Sequence, residues 1–406
     1  MKKLLITDYI YTPSQVLENK AVLIDKKIIK ILSKDEALKK YDNKDVQIID
    51  CGKNTLLFPG LINSHVHLEF SANKTTLSYG DFIKWLYSVI KNRDELVSSC
   101  NESCMQKALD EMLENGITTI GAISSHGSDL SVCANAKQNV VFFNELIGSQ
   151  AAMADVLFGD FLQRLDDSKN IKREGFFPAI AIHSPYSVHP ILIKKALDIA
   201  KNENLRVSAH FMESKAEREW LDKNDGGFKE FFENLLKQNK AVSTSEEFLE
   251  NFDGIKTLFA HVIKANDKEY DKIKSNSHSI AHCPISNRLL GNGAIDLKKV
   301  CDKGINVTIA TDGLSSNYKL DLWEEMKVAL FMHSEYPLLE LAKKLLDFAT
   351  INPAKALNLN KGIIQEEKDA DLLVLDIEDE INEELPIHLI LHKYKIIKKF
   401  INGEEI

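Results

Sequence analysis

The chain has 406 residues, with 51 Lys and Arg against 60 Asp and Glu and a formal net charge of −9. That balance lacks the basic face a nucleic-acid binder needs, and no window holds the roughly 18 apolar residues of a membrane helix. The length demands a large barrel or two domains rather than one small core.

The opening MKKLLITDYIYTP is interrupted by Asp8 and leads into no apolar run or cleavage site, so it does not read as a signal peptide. Residues 1–58 read as short β-branched strands separated by polar turns, ending in NTLLFPG. Lys-rich stretches such as KDEALKKYDNKD are expected to be solvated loops and faces. From 59 to 350 short apolar runs alternate with helical patterns. The runs predict strands over 59–65, 116–124, 139–146, 176–183, 205–210, 255–261, 279–283 and 305–312. Eight β/α units of this kind fit a (β/α)8 TIM barrel. Strand texture returns over 351–406, in ADLLVLDI and IHLILHKYKIIKKFINGEEI. The two ends therefore predict one small β-sandwich, built from both termini and packed beside the barrel. The six cysteines (Cys51, Cys100, Cys104, Cys133, Cys283, Cys301) show neither a disulfide framework nor a zinc spacing, which reads as reduced thiols in a cytoplasmic protein.

Catalytic groups of such barrels sit at the C-terminal ends of the strands. Strand 1 ends in His65-Val66-His67, whose i, i+2 spacing aims both imidazoles the same way. Strands 4 to 8 end in His183, His210, His261, His282 and Asp312. Any one of these alone is more often structural. Seven facing one mouth are not, because barrel interiors are normally filled with aliphatic side chains. His65, His67, His210 and Asp312 supply three nitrogens and one oxygen, a set for one divalent metal ion, Zn²⁺ ahead of Fe²⁺. Strand 4 offers no Lys to bridge a second ion.

The series FPGLINSHVH, HFMES, HCPISNRLL, TDGLSSN and INPAKALNL…ADLLVLD resembles the amidohydrolase superfamily across nearly the whole chain. Within it the match is to the branch holding S-adenosylhomocysteine deaminases, aminodeoxyfutalosine deaminases and triazine chlorohydrolases. The resemblance implies that Glu213 shuttles protons and that His261 contacts the hydrolytic water; Asp312, kept ionised by touching the metal, can accept that water's proton. It implies a small-molecule adenine-nucleoside substrate, with 6-amino-6-deoxyfutalosine, deaminated to futalosine in menaquinone biosynthesis, favoured by HLEFSANKTTLSYGDFIKWL. The arginines that hold a homocysteine tail are missing from FFNELIGSQ at strand 3, where Asn144 and Glu145 stand.

His183, Trp85, Glu69 and Arg288 are the expected substrate contacts. Trp85 would pack on an aromatic moiety, or else belong to the buried face of an amphipathic helix, and Arg288 would meet an anion. Asp94 or Glu95 is a weaker candidate for ribose hydroxyls. Three alternatives stand beside this reading. One is a deaminase of S-adenosylhomocysteine, methylthioadenosine or adenosine, and another a chlorohydrolase-like or other aminohydrolase. The third, of another class, is a catalytically silent metal-bound scaffold. No nucleic-acid or membrane partner is expected, and homo-oligomerisation stays open.

Overall fold

The computed structural model describes residues 1–41, 45–73, 76–377 and 381–406. Eight parallel strands form one sheet in sequential order: β1 (Leu61–Val66), β2 (Ile117–Ser124), β3 (Asn139–Leu146), β4 (Phe176–Ile182), β5 (Arg206–Phe211), β6 (Thr257–His261), β7 (Ser279–His282) and β8 (Asn306–Ile309). Each lies within a few residues of the expected run. The seam between β8 and β1 is closed by side chains, with Ser64 Oγ 2.7 Å from Thr308 Oγ1 and Asn63 Nδ2 donating to Thr311 Oγ1 at 2.7 Å.

Alternation along the strands divides the core in two. Ile62, Ile123, Val141, Phe143, Ala179, Ala181, Leu258, Ala260 and Ala281 point inward and fill the barrel. Ile120, Val140, Phe142, Ile180, Phe259 and Ile280 point outward against the helices. Full burial of one such Leu, Ile or Phe contributes about 1.5–3 kcal/mol.

The termini build two further sheets, one of four strands within residues 2–50 and one of six that joins 9–18 and Thr55–Pro59 to Leu372–Asp376 and Lys395–Ile401. Leu57, Leu372, Val374 and Phe400 of the second face Leu5, Val22 and Ile24 of the first, making a sandwich. Alternate residues Leu56, Phe58, Leu373 and Leu375 pack toward the barrel's helical layer.

One local expectation is refined and another is corrected. KDEALKKY, expected as part of a solvated loop or face, is the solvated face of a helix (Lys34–Tyr41), with Asp35 and Glu36 in its first turn, Lys39 and Lys40 in its last, and Ala37 buried. That charge order suits the helix dipole; the DNK that follows lies outside the described residues. LPIHLILH is also a helix (Leu385–His392), begun by Pro386 in its first turn, and only Lys395–Ile401 beyond it is strand. Among the described residues no helix is long and apolar enough to cross a membrane.

Candidate active site

Six of the seven strand-end groups converge at the C-terminal mouth. His67, His183, His210, His261 and Asp312 line a cavity of about 290 Å³ together with Glu213, and fully buried His65 lies beneath them. The seventh is a correction: His282 points out of the barrel, its Nε2 3.0 Å from that of His333.

His67 Nε2 lies 3.4 Å from His210 Nε2 and 3.5 Å from Asp312 Oδ1, and His65 Nε2 lies 3.7 Å from that same oxygen. His210 Nδ1 donates to the His183 carbonyl at 2.9 Å, which leaves its Nε2 as a bare lone pair. Burial pushes His67 down to about 3 and His183 down to about 4, and drives His210 well below the usual range. His67, His183 and His210 are therefore neutral imidazoles. Both ring nitrogens of His65 are buried without a partner. An orphaned nitrogen is costly, and convergent lone pairs beside a carboxylate suit a divalent cation. These residues fit the ion expected from the sequence.

Two carboxylates flank the cluster. Burial alone would raise Asp312, but the imidazoles of His65, His67 and His261 outweigh it and hold it well below the ordinary range. Its oxygens accept from the Gly313 amide at 2.9 Å and the Ser286 and Ser316 hydroxyls at 2.8 and 2.9 Å. Glu213 is pushed well above its ordinary value, first by burial and then by the charge of Asp312. His261 stands between them, with Nε2 3.8 Å from Glu213 Oε2 and 3.9 Å from Asp312 Oδ2. Its Nδ1 is 2.9 Å from Asn287 Oδ1, so Nε2 is free to accept a proton.

The backbone is unusual where these groups emerge. Met212, His261, Val262 and Asp312 all have φ between 51° and 70°. Left-handed conformations at non-glycine residues cost about 1–3 kcal/mol each and gather at functional sites. They stand at or just beyond the ends of β5, β6 and β8, where Glu213, His261 and Asp312 enter the mouth.

Trp85 and His183 are in the cavity wall. Trp85 sits on the helix Phe82–Ser99, and its indole N–H donates to the Ser315 carbonyl at 2.8 Å, fastening that helix over the mouth. Lys74 and Thr75, earlier in this long connection, lie outside the described residues. Glu69 and Arg288 are corrections. Glu69 is 2% exposed, and its carboxylate accepts from the amides of Ser125, His126 and Ser128 and from the Ser128 hydroxyl. It is consumed in fixing the loop after β2. Arg288 is exposed on the helix Pro284–Leu289 and is absent from the cavity wall. Asp94 and Glu95 are exposed as well.

Among the wall residues that carried no expectation are Arg93, Ser125 and Glu145. Arg93 stands at the rim beside His126, Nη2 to Nε2 3.4 Å, and is the one Lys or Arg among the described lining residues. Its helical position, two turns after Trp85, was the available signal. Ser125 joins Glu145, which the two-residue alternation of β3 turns inward after Val141 and Phe143, while Asn144 turns outward to Ser168. Beyond Leu86, Ile147, His183 and Tyr186 the mouth opens into an apolar cleft of about 380 Å³, walled by Met153, Leu157, Phe231 and Leu236.

Comparison with known proteins agrees with this geometry. The amidohydrolase family model matches residues 56–406. The chain is 50% identical over 398 residues to an aminodeoxyfutalosine deaminase of a Nitratiruptor species, covering 98% of this chain and 97% of that protein. It is 34% identical to an adenosine deaminase of Helicobacter pylori, covering 97% and 96%. The crystal structure of Helicobacter pylori aminofutalosine deaminase in complex with methylthio-coformycin superposes over 100% of both chains, with a TM-score of 0.94 and 32% identity.

Proposed function

The chain belongs to the amidohydrolase family, and from that premise we propose that it is a hydrolytic deaminase converting 6-amino-6-deoxyfutalosine to futalosine and ammonia, a step of menaquinone biosynthesis. The observation that carries the reading is the pair of buried carboxylates, Glu213 raised and Asp312 lowered, on either side of His261. The relative at 50% identity, which bears the name aminodeoxyfutalosine deaminase, supports the choice of nucleoside.

His65, His67, His210 and Asp312 would hold one divalent ion, Zn²⁺ ahead of Fe²⁺. When bound, that ion supplies Lewis acidity that brings the pKa of a water toward neutrality. Asp312, ionised, and His261, through its bare Nε2, orient the water and accept its proton. Glu213, protonated because it is buried beside Asp312, donates to the purine N1 as C6 is attacked. The C6–N6 bond then breaks, the water's first proton leaves with the amine as ammonia, and the proton of the new C6 hydroxyl returns to Glu213 as the C6 carbonyl forms. His183, its Nδ1 2.5 Å from the Ser187 hydroxyl, presents Nε2 to the base. Trp85 and the apolar side of the mouth suit an aryl arm, and Arg93 supplies the cation for its carboxylate in place of Arg288.

The adenosine deaminase relative favours one second reading, a general adenine-nucleoside deaminase. Measuring kcat/KM for aminodeoxyfutalosine, methylthioadenosine, S-adenosylhomocysteine and adenosine separates the two. Aminodeoxyfutalosine should rank first. A tenfold lead for adenosine or S-adenosylhomocysteine, about 1.4 kcal/mol of transition-state preference, would leave only the general reading.

A further inference from the structure

We infer that Glu145, tethered by Ser125, is the hook for a secondary hydroxyl of the substrate's ribose and makes the enzyme selective for ribonucleosides. The inference rests on the adenine-nucleoside reading and names a contact that the proposed chemistry leaves unused.

Three carboxylates line the cavity: Glu145, Glu213 and Asp312. The base end of a nucleoside asks mainly for donors at its ring nitrogens, which Glu213 and His183 supply. The sugar hydroxyls ask for an acceptor. Asp312 is engaged on both oxygens, and Glu213 faces His261 and accepts from Asn292. Glu145 is different. It is fully buried, its Oε2 accepts from the Ser125 hydroxyl at 2.5 Å, and its Oε1 has no partner. His210 Nδ1 is 3.7 Å away and already gives its proton to the His183 carbonyl. A buried carboxylate oxygen without a donor is costly, so a donor from the ligand is the economical solution.

The surroundings fix both the position and the aim. Glu69 binds the amides of Ser125, His126 and Ser128, which holds the Ser125 hydroxyl against Oε2 and leaves Oε1 for a ligand. The corner stands at the end of β3, next to His183 on β4. His261 ends β6 and Asp312 follows β8, toward the other side of the mouth. A purine centred on those groups brings its sugar past His183 to Glu145. The apolar cleft beyond Ile147 and Tyr186 then receives the 5′ substituent.

The test compares adenosine, 2′-deoxyadenosine and 3′-deoxyadenosine in the metal-loaded wild type, Glu145→Gln and Glu145→Ala, with bound metal measured for each. Wild type should favour adenosine over at least one deoxynucleoside by roughly ten- to a hundredfold in kcat/KM, the range expected when one buried acceptor is left unpaired. In both variants that ratio should fall toward one, chiefly through KM for adenosine. An unchanged ratio in a variant that retains metal overturns the inference. So does loss of metal from both variants, which would make Glu145 a support for His210. A wild-type enzyme that deaminates neither these nucleosides nor aminodeoxyfutalosine overturns the parent reading instead, and the inference with it; where only aminodeoxyfutalosine turns over, an unchanged KM for it in metal-loaded Glu145→Gln and Glu145→Ala overturns the inference alone.

Discussion

Glu213 and Asp312 are two buried carboxylates whose surroundings drive them in opposite directions, one well above and one well below the ordinary range. Such a split assigns acid and base without reference to any relative. Glu213 lies beside His261 but outside the cluster of His65, His67 and Asp312 that suits a metal. Glu213→Gln keeps shape and burial and removes only the transferable proton. It should therefore carry as much divalent metal per chain as wild type by elemental analysis, while kcat falls by roughly 10²–10⁴. A near-normal kcat would remove Glu213 from the chemistry.

At the scale of the element, the turn after β5 decides where Glu213 goes. Met212 is left-handed, with φ 51°, and the helix Lys215–Lys223 starts directly afterward with Ser214 as N-cap. Glu217, in that first turn, accepts the amides of Met212 at 2.9 Å and Glu213 at 2.7 Å. Its carboxylate ties the strained turn to the helix. Burial raises it to about 8, with the two amides pulling the other way. Glu217→Ala should leave two buried donors unsatisfied, at about 1–3 kcal/mol each, and let Glu213 drift, lowering kcat by roughly a hundredfold. Glu217→Gln keeps an acceptor and should restore most of kcat. Equal losses in both variants would show that the tether does not position Glu213.

For the whole molecule, the contact between barrel and sandwich turns on a buried ion pair. Lys361 Nζ lies 2.6 Å from Asp371 Oδ2, and both residues are at most 4% exposed. Asp371 also accepts from Asn139 Nδ2 at 2.9 Å, at the start of β3, and from the Asn402 amide at 2.8 Å, beyond the last long strand of the terminal sheet. One carboxylate thus joins the closed end of the barrel to the terminal sheet. Lys361→Met strands that charge, and breaking a buried pair costs about 3–5 kcal/mol. Urea unfolding should show a loss of that size. Activity per folded molecule should stay near wild type, because the pair lies at the end opposite the mouth. A loss below about 1 kcal/mol would mean that Asn139 and Asn402 suffice to hold Asp371.

Much of this was readable in one dimension, because a strand's two-residue period and its turn to helix are local properties. All eight barrel strands and the ring of strand-end imidazoles follow from runs such as LINSHVH and LFAH. The same period could have flagged Glu145 through Val141 and Phe143. Local pattern failed where a partner far along the chain decided the outcome. LPIHLILH is apolar enough for a strand, yet its helix packs Leu385, Leu389 and Ile390 into the barrel's outer core. Glu69 follows His67 closely in sequence, yet backbone amides some 56 residues away capture its carboxylate. His282 ends its strand as His261 does, yet it turns outward to His333, 51 residues on. The sequence determined which groups stand at the mouth's rim. Only the tertiary structure decided which of them still have a free lone pair or proton, because a buried polar atom takes whichever partner the folded chain brings within reach.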